Sequence, residues 1–304
     1  MSFSNKLINY TNRKLLRTPG VEFLKKEIDL QKRKKYLDYW FNKVLKKKSF
    51  NKYFSKNNEK SNFYKKIRFC CTDDFTISDE MMSSLSENGV LVIENALPKD
   101  EFNLIKEYFN DLKEKKFEKK WLSKPVNPFF FSEVDEIRGL LEVDRFKILK
   151  KYSDIASKEI YEKIVKPTVE LHHLRINKNL EKENKEKATY LHVDRFLPHF
   201  KIFFTPTKIT ENGAPFQYSL GSHKITKDYI NFFINGNNFN ETDLSAKPLI
   251  NDLETITADE NTLFIAFTNG FHKRTCFLEN KQERSMLYLQ YIERYNKFNY
   301  LFSN

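Results

Sequence analysis

Cysteine, glycine and long apolar runs are all scarce in this chain of 304 residues. Its three cysteines are Cys70, Cys71 and Cys276; the first two are adjacent, and no C-x-x-C spacing occurs. That excludes a disulfide framework and a zinc ribbon, and it points to a reducing compartment. No stretch approaches the roughly 18 apolar residues of a spanning helix. The opening MSFSNKLINYTNRK lacks the apolar run of a signal peptide. The expectation is a soluble, cytoplasmic protein, with peripheral membrane contact as its one link to a bilayer. Glycine numbers only 7 while lysine and asparagine abound, a pattern of codon bias that leaves lysine with little weight as a functional marker.

Acidic residues are short in one region only. Residues 1–70 hold 20 Lys+Arg against 5 Asp+Glu, whereas the remainder holds 33 against 36. The net charge of +12 therefore belongs to the N-terminal segment. No recognition motif accompanies it, so nucleic acid is an unlikely partner. After Pro19-Gly20, Leu37, Trp40, Phe41 and Val44 recur at helical spacing. Residues 1–71 read as a basic helical extension, either packed on the main domain or meeting an anionic surface.

What is plentiful is aromatic. With 29 Phe and 15 Tyr, the chain needs a core to hold them. Residues 72–304 read as one domain. A connection over 72–85 leads to a strand near 90–94 and a helix near 99–115. An irregular stretch (121–144) precedes a helix that ends before Pro167, the strand-like HHLRIN and a polar loop over 178–189. Short strands follow: YLHVD, FKIFF, FQYSL, NTLFIAF and SMLYLQYI, with KDYINFFING as a helical insert. The fold class expected is α+β, a double-stranded β-helix (jelly roll) flanked by helices.

Within YLHVDRF, His192 and Asp194 are two apart, so on a strand they share one face. His272 follows NTLFIAF through a short turn and is the best third ligand. Two histidines and one carboxylate with open positions form the facial triad of non-haem Fe(II) oxygenases. Zinc takes the same ligand types, but a strand-borne H-x-D is unlike a helical H-E-x-x-H. Arg284 heads the strand RSMLYLQYI, sharing a face with Met286, Tyr288 and Gln290. An always-charged fork facing a barrel interior needs an anion, and a dicarboxylate cosubstrate supplies one.

These ordered features resemble the phytanoyl-CoA dioxygenase family of Fe(II)/2-oxoglutarate oxygenases. SENGVLVIENALPKDEFNLIKEYF is similar to the family's opening, LHVD to its H-x-D, and FTPTKITENGAPFQYSLGSHK to the segment after it. NTLFIAFTNGFH is similar to the distal-histidine strand, and Arg284 stands at the 2-oxoglutarate arginine. The resemblance spans about residues 85–292. It implies Fe(II), 2-oxoglutarate and O2 as cofactors, succinate and CO2 as coproducts, and a small-molecule substrate of anionic character. Where related halogenases have a small residue this chain has Asp194, which implies hydroxylation, with desaturation or cyclisation the rival outcomes. Outside enzymes, the rival is a metal-binding scaffold.

There are departures. Phe204 stands where many members have Trp, Met286 where several related oxygenases have Ser, and Glu260-Asn261 replaces a glycine turn. Phe204 and Tyr190 are expected beside the cosubstrate. Arg195, His199 and Arg274 are candidate substrate contacts. His223, in GSHK, reads as a loop residue at the barrel rim rather than a ligand, and His172 and His173 as structural.

Overall fold

The computed structural model describes residues 31, 66–71, 75–114, 134–138, 148–149, 151–152, 154–155, 168–177, 191–194, 199–226, 228–229, 232, 250, 253–275 and 284–292. The helix expected over 21–48 and the loop over 178–189 lie outside these, Gln31 apart.

Two sheets face each other. The larger has the strand order β1-β2-β8-β5-β10-β4-β3 and the smaller β7-β6-β9. The large sheet contains β1 (Arg68–Cys70), β2 (Val90–Glu94), β3 (Val134–Arg138), β4 (Thr168–Asn177), β5 (His199–Thr205), β8 (Thr262–Phe267) and β10 (Arg284–Ile292). The small one contains β6 (Phe216–Ser219), β7 (Leu253–Ile256) and β9 (His272–Arg274). All pairings are antiparallel except β1 with β2. The alternation between sheets is that of the expected jelly roll.

The core lies between the sheets. Phe203, Phe264 and Met286 from the large sheet meet Phe216, Tyr218 and Ile256 from the small one, all buried. Phe203 stacks on Phe264 with ring centroids 4.6 Å apart. The other face of the large sheet is covered by α2 (Lys99–Glu114), whose Phe102 meets Phe204 edge-on at 6.2 Å. Both faces are therefore apolar, and FKIFF reads as a continuous run rather than an alternation.

Two corrections concern local structure. The connection expected over 72–85 contains the start of α1 (Asp79–Asn88). Ser78 caps it by accepting from the Met81 N–H, Asp79 and Glu80 occupy its first turn, and Gly89 ends it at φ 80°. The sheet also begins at β1, inside the segment assigned to the extension. No described helix is long and apolar enough to cross a membrane.

Asn261 shows how the chain manages without the glycine turn. It takes φ 61°, a conformation asparagine tolerates better than most residues. Its side chain accepts from the Leu97 N–H at 3.0 Å and donates to the Leu97 carbonyl at 2.8 Å.

Candidate metal centre

His272 begins β9, and its position is set by the turn before it. Tyr218 donates its hydroxyl to the Phe267 carbonyl at 2.8 Å, and Tyr229 donates to the Asn269 carbonyl at 2.8 Å. Asn269 donates to the His223 carbonyl at 2.9 Å, and Ser222 Oγ accepts from the Phe271 N–H at 2.8 Å. Every one of these groups is buried. Such bonds are strong in a dry interior and costly to leave unmade. A side chain at Gly270 would run into the Tyr218 hydroxyl, and one at Gly89 into His223 and Tyr218. The two glycines let the turn, Tyr218 and His223 close up on one another.

His223 belongs to this bolt. It is a turn residue outside the triad, as expected, but wholly buried, stacked on Phe267 at 5.3 Å, with Nε2 3.1 Å from the Ser86 carbonyl. A carbonyl only accepts, so Nε2 carries a proton there.

The same logic orients His272. Its Nδ1 donates to the Gly270 carbonyl at 2.8 Å, which leaves the Nε2 lone pair for a metal. Burial, with neighbouring His192 acting in the same direction, lowers its pKa to about 3, so the ring is neutral near neutral pH, as a ligand must be.

His192 and Asp194 are not on a strand of their own, contrary to the reading of YLHVD. His192 forms a single bridge with His272 through reciprocal backbone bonds of 2.9 and 2.8 Å. Asp194 donates its N–H to the Thr268 carbonyl at 2.9 Å. Both residues thus hang on the distal-histidine turn. The outcome is compact. His192 Nε2 is 3.9 Å from Asp194 Oδ1, and His272 Nε2 is 3.8 Å from Asp194 Oδ2. One ligand atom from each of the three residues falls within 4.8 Å of the others, close enough for one ion to share. Two imidazoles and a carboxylate, with the distal tautomer already set, fit an Fe(II) ion with open positions.

Below the triad the interior is aromatic. Phe216 lies 5.4 Å from the His272 ring. Arg284 is buried on the inner face of β10, with Nη2 3.7 Å from Met286 Sδ. Arg274 pairs with Phe216 across β9 and β6 and is also buried, so it faces inward rather than towards the entrance. Phe204 is a correction. Phe203 faces the interior, and by alternation Phe204 points out against α2, away from any cosubstrate. His199 opens β5 opposite Ile292; its side chain, with Tyr190 and Arg195, lies outside the described residues.

One residue was missed. Lys201, two before Phe203 and on the same face, places Nζ 2.8 Å from Asp194 Oδ2. A lysine on the inner face of a core strand was the available signal, but the chain's abundance of lysine obscured it.

No family model and no curated protein matches this chain. Among solved structures it is similar to the non-haem α-ketoglutarate-dependent epimerase SnoN from nogalamycin biosynthesis. There the identity is 12% and the TM-score 0.50, over 69% of this chain and 80% of that one. It is also similar to HygX from Streptomyces hygroscopicus with nickel and 2-oxoglutarate bound, at 14% identity and a TM-score of 0.49, covering 72% and 88%. The carbocyclase SnoK gives 12% and 0.47, covering 71% and 84%. At such identities the likeness is one of fold, and membership of the phytanoyl-CoA dioxygenase family is not established by it.

Proposed function

We propose that this protein is an Fe(II)- and 2-oxoglutarate-dependent oxygenase acting on a small molecule. The observation that carries the reading is the convergence of His192, Asp194 and His272, with Nδ1 of His272 committed to a carbonyl. The SnoN fold supports it. Bound iron would supply O2 activation coupled to oxidative decarboxylation of 2-oxoglutarate, yielding succinate and CO2.

The chain's own residues do the rest. His192, Asp194 and His272 would hold the metal and leave its remaining positions to cosubstrate and O2. Arg284 takes the far carboxylate of 2-oxoglutarate as a planar, permanently charged fork. Arg274, two residues along the strand from His272 and facing the same interior, is a second cation for that carboxylate. Phe203, Phe216 and Phe264 keep water from the reacting atoms. Among outcomes we favour hydroxylation, because the carboxylate of Asp194 fills the position that a halide would need. The resemblance to phytanoyl-CoA dioxygenases extends this to an anionic substrate linked to a lipid, sugar or CoA, and the basic segment to an anionic surface.

The test is succinate formation from 2-oxoglutarate with Fe(II), O2 and a broad metabolite panel. Substrate-stimulated succinate is expected, with hydroxylated product. Its absence across the panel, uncoupled turnover included, would remove the oxygenase reading and leave a metal-binding scaffold.

A further inference from the structure

The interior holds a charge that a metal site does not ask for. Lys201 Nζ is 2.8 Å from Asp194 Oδ2, and its side chain is only 16% exposed. Its register places it between Gln290 on β10 and Ala266 on β8, at the triad's end of the barrel. Ala266 offers it no polar group. A fixed ammonium touching a metal's carboxylate opposes the binding of a divalent cation, because it competes for the same negative charge. Asp194 is the one acid of the triad. Metal and Lys201 together therefore leave this corner with excess positive charge, which an anion arriving beside the metal would balance.

We propose that Lys201 is the counter-charge for the 2-oxo-acid carboxylate that chelates the metal, held in place through Asp194 and set against metal affinity. This rests on the oxygenase reading and adds a residue to it. It divides the cosubstrate by its two ends: Lys201 for the chelating end, Arg284 with Arg274 for the far carboxylate. Pyruvate separates the two, since it has the chelating end alone.

The experiment uses the full chain and two variants, Lys201→Met, which keeps the apolar stem, and Lys201→Arg, which keeps the charge. Co(II) is titrated calorimetrically under anaerobic conditions, and then 2-oxoglutarate or pyruvate is titrated onto the Co(II)-loaded protein. The methionine variant is expected to bind Co(II) about tenfold more tightly and both 2-oxo acids about tenfold more weakly. The arginine variant restores 2-oxo-acid affinity. Should the methionine variant not fold, Lys201→Gln makes the same comparison. Weaker Co(II) binding with unchanged 2-oxo-acid affinity would overturn the proposal and make Lys201 a structural partner of Asp194. Loss confined to 2-oxoglutarate, with pyruvate unaffected, would overturn it too, by moving Lys201 to the far carboxylate. If wild-type protein loaded with Co(II) binds neither acid, the oxygenase reading itself fails, a separate result.

Discussion

The two halves of the metal centre are built differently. His272 sits at the head of a turn fastened by Tyr218, Ser222, Asn269 and Tyr229, and its side chain is 7% exposed. His192 and Asp194 are about one-fifth exposed, and backbone bonds tie them to His272 and Thr268. One half is buried, while the other is partly open and docked onto it, its neighbours Leu191 and Val193 seated among Tyr229, Phe232 and Phe271. Damage to the bolt should harm both halves, and damage to the docked pair should harm chemistry alone.

Gly270→Val breaks the comparison most severely. Its side chain must displace Tyr218 and crowd the His223 backbone. A loss of about 3 kcal/mol in denaturant stability is expected, together with loss of metal binding. His192→Ala should lose metal and succinate formation while its denaturation midpoint stays near wild type. A large stability loss there would show that the docked half is part of the core after all.

Arg284→Met comes next. It should raise the KM for 2-oxoglutarate about thirtyfold or more, as expected for a buried charge-assisted contact, with metal affinity little changed. Tyr218→Phe removes one buried hydroxyl bond. Its cost should be about 1–2 kcal/mol, read as a lower thermal midpoint and weaker metal binding together. Removing residues 1–65, which spares β1, should have the smallest effect on the site. It should weaken binding to anionic vesicles; unchanged binding would leave the segment a packing element.

Much of the docked and fastened pattern was legible as order along the chain. LHVD, GSHK, the histidine after NTLFIAF and the arginine heading the last strand all stand in the sequence in the order in which the fold uses them. What could not be read was which side of a doubly covered strand faces the site. FKIFF is apolar on both faces because α2 covers one and the barrel fills the other. Phe204 was therefore assigned inward when Phe203 is the inner residue, while Lys201 was hidden by the abundance of lysine along the chain. α1 was missed although its signals stand in the sequence, Ser78 as cap, two acids in the first turn and Gly89 at the end. It carries little helical amphipathicity because most of its circumference is buried, polar residues Ser84, Ser86 and Asn88 included.

The central claim is that His192, Asp194 and His272 form one metal site on which 2-oxoglutarate depends. Anaerobic calorimetry of 2-oxoglutarate binding, with and without one equivalent of Fe(II), tests it most directly. The account predicts tight binding only with the metal, abolished by His272→Ala. Equal affinity with and without metal, or affinity retained in that variant, would contradict it.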